Sequence, residues 1–581
     1  MKVKNSLKTF FFIFFLFSIL FLFSCDGLIE DWKVSRLTDD FINWHSQTFP
    51  FENNISGNCK KNHVLFNTDL KNIKKINEQL DTFKWRLFLI DTSTITFKNR
   101  VNFYILRSKI NFLLFEFQEW KRWQHDTYFY SQKLYNAFKS FFPQPSDTSK
   151  NNFEKYFYKI KSIPGFLKNA RKNLVRINNK NIDTAIEQIE SVKNELFNQF
   201  SIIQTSDSVM LDSLNYFSEV ALDSLLSFQQ FLTDENSRTQ DSLPHFDKNM
   251  YQSLLSILLE NDLLLDSLVK IVERDYQASV QEMAVVAQNY FDEQNKSFRN
   301  VSKERLCAIM INEINRNIPR KDRIISICIN HNNYHKLFVD EIVDFSLPTD
   351  FSMKIDWGNN NGNYPQKLVE LLPVNLTDDS CFLRLKIEPI PQDIEWSAQL
   401  AMLRDYNRTH LKAAMLLDGF PIHYNYWFQK RHELPFAAKV FPSQSYLAGF
   451  THNFASTLVT SGLGGYDKLL EFAMLESFAR LCFSTIVELK YYLRQYSNQQ
   501  VDSLIKVSKL FNTTQSKKLI KDINCNPGQN LLTYRGIRKF KNIEIKYTAF
   551  QGRKFRKKKY YKLILQQGPI PLVLLEEKLM P

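Results

Sequence analysis

The chain has 581 residues, 44% hydrophobic and 23% charged, with a formal net charge of +14. That length is enough for a large core or for more than one domain. Its seven cysteines include no Cys-x-x-Cys pair, which excludes a zinc knuckle and leaves no readable disulfide framework.

Lys2, Lys4 and Lys8 precede an apolar run from Phe10 to Phe23. A membrane-spanning helix needs roughly 20 such residues, so the run reads as the apolar region of a signal peptide. It closes on Leu22-Phe23-Ser24-Cys25, which resembles a bacterial lipoprotein box. The resemblance implies cleavage after residue 24 and acylation of Cys25, with 25–36 as a linker to the membrane. Several acyl chains anchor stably where one binds only marginally.

From 37 to 318 the sequence predicts successive helices. Thr184 and Glu187 form a capping-box pattern, and Ile186, Ile189, Val192 and Leu196 stripe one helix face. Asp-Ser-Leu at 212 recurs at 223, close to three helical turns on, which predicts one long amphipathic helix over 206–232. A second long helix is expected from Met250 to Tyr290. The segment 319–395 is of mixed character. Arg323–Asn330 reads as a short β-rich run, Phe382–Glu388 alternates like a strand, and Trp357–Pro365 has the composition of a loop. Helical patterning resumes at Trp396 and runs on through a C-terminal region, 396–581.

Much of the positive charge sits late. Arg535–Lys562 holds twelve Lys and Arg against one acid, Glu544. Such a stripe suits phospholipid or an anionic surface polymer, or is simply a solvated helix face; beside a lipoprotein signal, nucleic acid is not the expected partner.

Candidate sites are few. His432-Glu433 lacks the second His of a zincin helix, since Phe436 stands there. His410, His423 and His432 could join Asp418 or Glu433 on a metal, but their spacings give no pair on one helical turn. His331 and His335, four apart in an Asn-rich stretch, are expected in a solvated loop. No GxxxxGK[ST] phosphate loop is present, and Ser461-Gly-Leu-Gly-Gly465 is not set as a nucleophile elbow. Tyr424, Tyr426 and Trp427 would stack on sugars or peptides if exposed; burial is the commoner fate of such a cluster.

A series of short motifs carries a further resemblance. Asn526-Pro527-Gly528-Gln529 is followed by Tyr534 and Gly536, and Gly552, Phe555, Leu565, Gly568, Pro571 and Leu572 come after. Ile163-Pro164 and Ala170-Arg171-Lys172-Asn173-Leu174, Trp123 with Tyr128, and Gln281-Glu282-Met283 lie upstream. In this order they resemble the bacterial family catalogued as domain of unknown function eight-eight-five, over nearly the whole chain after Cys25. Its members are regarded as mainly helical zinc peptidases, many of them secreted or lipid-anchored, with a His-Glu-x-x-Pro-Gly-His element and a later Glu-Gly-Trp. Such sites hold zinc with imidazoles and a carboxylate, leaving a position for the water that a nearby Glu deprotonates.

The matching element here is Leu417-Asp418-Gly419-Phe420-Pro421-Ile422-His423. Leu417 stands for the first His and Asp418 for the Glu, while Pro421 and His423 are kept. Glu-Gly-Trp falls on Ser461-Gly462-Leu463, and an Asp and a His of a later helix fall on Ser484 and Glu488. An Arg-Tyr pair falls on Asp522-Ile523, and a Phe-His pair on Tyr560-Tyr561. Positions that shape the backbone match; positions that do chemistry do not.

The expectation is therefore a mainly α chain, a large helical metallopeptidase-like fold with a small β-containing insertion. It would be tethered at Cys25 in the bacterial envelope, with no metal and no cofactor. As a catalytically degenerate peptidase it would bind a peptide or surface polymer, with His423, Pro421, Gly528, Gln529 and Tyr534 as candidate binding residues. The alternatives are an active zinc hydrolase with relocated ligands and a purely structural envelope protein.

Overall fold

The computed structural model describes residues 27–50, 65–139, 150–200, 208–238, 246–259, 265–342, 352–358, 368–371, 382–390, 395–419 and 434–580, apart from 176, 297, 299, 463 and 464. Cys25, His423, Pro421, Tyr424, Tyr426, Trp427, His432 and Glu433 lie outside them.

The architecture is predominantly helical. The first core is laid down by a helix over 27–48, by Leu70–Phe88 and Phe97–Leu114, and by the helices out to Ser208–Arg238. The same core takes in Tyr446, Phe450 and Phe454 from helix Gln444–Thr460, Phe540 and Ile543 from helix Gln529–Gln551, and Tyr560 and Tyr561 beyond it. The two ends of the chain thus share one apolar interior. A second core joins helices Leu265–Glu293 and Lys303–Ile314 to the long helix Lys468–Leu493. Of that helix's 26 residues 17 are buried, so it is a central strut, apolar nearly all round.

A three-stranded sheet sits on a third, smaller core. β1 (Ser352–Trp357) pairs parallel with β3 (Phe382–Ile387), which pairs antiparallel with β2 (Val369–Leu371). The strand order is β1-β3-β2, and Ile355, Val369, Leu385 and Ile387 face Tyr406, Leu411 and Met415. The alternating stretch at 382–388 is therefore a strand, and the long helix over 206–232 forms as Ser208–Arg238.

Five expectations are corrected. Arg323–Asn330 is not a strand: Ile324–Ile342 is a helix, whose residues Ile324, Ile327 and Cys328 pack together beneath the sheet. Local β preference yields here to burial of a face at three- and four-residue spacing. His331 and His335 ride on this helix rather than in a solvated loop. His335 is buried, and burial lowers its pKa to about 3 and that of His331 to about 4. Thr184 caps nothing, because the helix already begins at Ile182, behind a short turn capped by Asn178. The stretch 25–36 is no linker, being helical from residue 27, and 250–290 holds two helices, Lys248–Leu259 and Leu265–Glu293.

Candidate functional site

A cleft of about 360 Å³ opens between the helix ending at Ala414, the long helix Lys468–Leu493 and helix Thr513–Cys525. Its chemistry starts at Asn407. The Asn407 side chain caps helix Arg408–Ala414 by accepting the His410 N–H at 2.8 Å, a role for which a short amide suits. The Asn407 amide nitrogen also lies 2.8 Å from His410 Nδ1. Nε2 faces Glu476 Oε2 at 3.1 Å.

Glu476 is fully buried and pairs with Arg480, one turn further along, at 2.6 Å. Burial alone would raise this carboxyl. Arg480 and His410 more than offset it and hold the group at about 2. Asp405 accepts a hydrogen bond from Gln515 at 3.0 Å, and burial raises its pKa. Asp522 is likewise raised by burial, against the pull of Lys518 and Lys521.

Leu417 and Asp418 enter the cleft on a π turn, Met415–Gly419, that follows the His410 helix. Such single wide turns displace side chains that a regular helix would aim elsewhere. Ser484 lines the cleft two turns beyond Glu476, and Asp522 and Asn530 close its far side. Residues 417, 418, 484 and 522, four of the positions matched to the peptidase motifs, thus meet in one place.

The others do not. Ser461 ends helix Gln444–Thr460, where its hydroxyl donates to the Leu458 carbonyl at 2.9 Å, away from the cleft. Glu488 continues the stripe 476-480-484-488 but points beneath the cleft. Its Oε1 accepts the Tyr251 hydroxyl at 2.8 Å and the Gly528 N–H at 2.5 Å. Gly528 adopts φ +87° at the start of helix Gln529–Gln551, Gln529 is exposed there, and Tyr534 donates to Asp275 at 2.6 Å. None of these three lines the cleft. Sequence reasoning missed Glu476 and Arg480. Their four-residue spacing marks a helical ion pair but does not reveal that it is buried.

Among the described residues the cleft does not bring together three protein ligands, the number that a catalytic zinc takes. Leu417 offers none, His410 is engaged at both nitrogens, and among the described residues no group of three His, Cys, Asp or Glu is placed to hold a metal. Cys307, Cys328, Cys482 and Cys525 are buried free thiols. Among the described residues no helix is long and apolar enough to cross a membrane.

No protein-family model matches the chain, and no curated protein matches it. Two solved structures share its fold. One is a candidate lipoprotein of unknown function from Shewanella oneidensis, with a TM-score of 0.75 and 13% identity, over 94% of this chain and 100% of that one. The other is a candidate lipoprotein from Colwellia psychrerythraea, with a TM-score of 0.70 and 11% identity, over 88% and 91%.

Proposed function

We propose that the chain is a lipid-anchored protein of the bacterial envelope, whose peptidase-like scaffold has lost its catalytic metal site and whose cleft binds peptide. One observation carries this reading. Leu417 and Ser484, matched to a ligand imidazole and a chemical carboxylate, line the same cleft, and neither hydrocarbon nor hydroxyl can replace the group it stands for. The fold shared with two candidate lipoproteins supports the anchor at Cys25.

Of the two ligand classes expected, the charges of the cleft favour peptide. Asp405, Asp418, Glu476 and Asp522 outnumber Arg480 and Lys518, so an anionic polymer would meet a wall of its own sign. A peptide brings both an ammonium and a carboxylate, along with side chains for Leu368, Phe511 and Leu519.

A second reading, an active zinc hydrolase, would use His423, which lies outside the described residues, with relocated ligands. Metal analysis of the full chain in detergent, together with calorimetry against short peptides, separates the two. The binding reading expects peptide binding without stoichiometric zinc and without hydrolysis. One zinc per chain, lost with peptide cleavage in His423→Ala, overturns it.

A further inference from the structure

Six large apolar side chains stand exposed at one end of the first two helices. Leu28, Ile29 and Trp32 project from the first turns of helix 27–48, and Trp85, Phe88 and Leu89 from the end of helix Leu70–Phe88. Their exposure is high: 68% for Leu28, 58% for Trp32, 61% for Trp85 and 78% for Phe88. Large apolar patches on a soluble surface mark contact with a partner or a membrane.

The two helices run antiparallel. Phe41 meets Phe83 at 5.2 Å, Arg86 pairs with Asp40 at 2.8 Å, and the Asp91 N–H donates to Glu30 at 3.0 Å. That register carries the end of the second helix alongside the start of the first. The start is itself clamped, since Asp31 accepts the Thr96 N–H and the Asn99 amide, each at 2.9 Å. Trp85 and Phe88 stack at 5.9 Å, and Arg36 lies over Trp32 at 5.2 Å. The patch is therefore held on fixed scaffold.

Where the chain enters the fold identifies the occupant. Only Asp26 separates Cys25 from the helix at 27, and the apolar run Phe10–Phe23 lies just before. Whether that run is retained or Cys25 is acylated, membrane is delivered to within a few residues of Leu28. Tryptophans beside aliphatic side chains are the composition that settles at a bilayer interface. Arg86 with Asp40 and Lys33 with Glu30 are paired within the protein, and Arg36 lies over Trp32, so the contact rests mainly on apolar burial. We propose that Leu28, Ile29, Trp32, Trp85, Phe88 and Leu89 form a second, non-covalent contact with the phospholipid surface, seating the body of the protein in one orientation beside its anchor. The proposal rests on the envelope reading for its membrane but not on acylation itself.

The test places the full chain in phosphatidylcholine–phosphatidylglycerol vesicles whose acyl chains carry bromine, a short-range quencher of tryptophan fluorescence. Trp32→Phe with Trp85→Phe, a pair that keeps the aromatic packing, is expected to remove at least about half of the quenching, at low and high salt alike. Trp396→Phe, which removes a tryptophan just as exposed (68%), is expected to leave the quenching unchanged. Quenching that is unaltered in the double variant, or lost in Trp396→Phe instead, overturns the proposal. Mass analysis of Cys25 reports the anchor independently. Trp32- and Trp85-dependent quenching in an unacylated chain supports the patch and removes the anchor, whereas an acylated chain without such quenching removes the patch and keeps the anchor.

Discussion

Two buried glutamates on one helix face carry opposite electrostatic burdens. Glu476 is compensated by Arg480 and His410 and is held at about 2. It therefore contributes stability above the ordinary carboxyl value of 4.5, and that contribution is lost as pH falls from there toward 2. Among the described residues Glu488 has no cation paired with it. Burial raises it to about 7, although hydrogen bonds from Tyr251 and Gly528 favour its charged form. Between 4.5 and 7 this carboxyl holds its proton in the folded protein but not in the unfolded chain, so its own contribution to stability falls as pH rises through that window, by about 3 kcal/mol. Glu488→Gln keeps an acceptor for both donors without the charge. Because the buried His331 and His335 act in the opposite direction below pH 6.5 in both proteins, the readout is the difference: from pH 5 to pH 8 the variant is expected to gain stability relative to the parent, and equal slopes in urea titrations of the two proteins would refute this.

At the scale of elements, the Pro-Gly-Gln, Tyr and Gly motif acts through packing. Gly528 at φ +87° turns the chain into helix Gln529–Gln551, and its N–H ties that turn to Glu488. Gly536 lets the helix cross Gln444–Thr460 so closely that an added Cβ would sit 2.8 Å from the Ser445 Cα. Gly449 faces it from the other helix, with the Gly536 carbonyl 2.6 Å from where its own Cβ would be. Backbone on both sides cannot yield as a flexible side chain would. Gly536→Ala is expected to cost about 1–3 kcal/mol by forcing the helices apart, read as a lowered melting temperature. A melting temperature equal to the parent's would show that the crossing is looser than described.

Over the whole molecule, the cleft is where distant segments are brought to one address, and its outer rim is the place to probe binding without unfolding the protein. Lys518 lies on that rim, 4.0 Å from Asp522 one turn along its helix. Lys518→Ala is expected to weaken peptide affinity several-fold, about 1 kcal/mol, and to leave thermal stability unchanged. Calorimetry checks the first part and a melting curve the second. Affinity unchanged by the substitution would place the ligand elsewhere.

The helical class was legible because its signal is local. Ile186, Ile189, Val192 and Leu196, or the repeated Asp-Ser-Leu at 212 and 223, declare a helix from a dozen residues, and alternation at 382–388 declares a strand. Where the local signal was ambiguous it misled, as at Arg323–Asn330, whose β-branched residues form a helix because a core waits on one side of it. That the match to the peptidase motifs sets Leu at 417 and Ser at 461 could also be read from the chain, but not what those positions face. Packing alone sets Leu417 in the cleft and Ser461 outside it, buries Glu476 against a histidine 66 positions away, and converts the Gly528–Gly536 motif from apparent binding residues into a helix crossing. Periodicity describes each element on its own axis, whereas a site depends on how several axes meet, and that is settled only when their apolar faces compete for one interior.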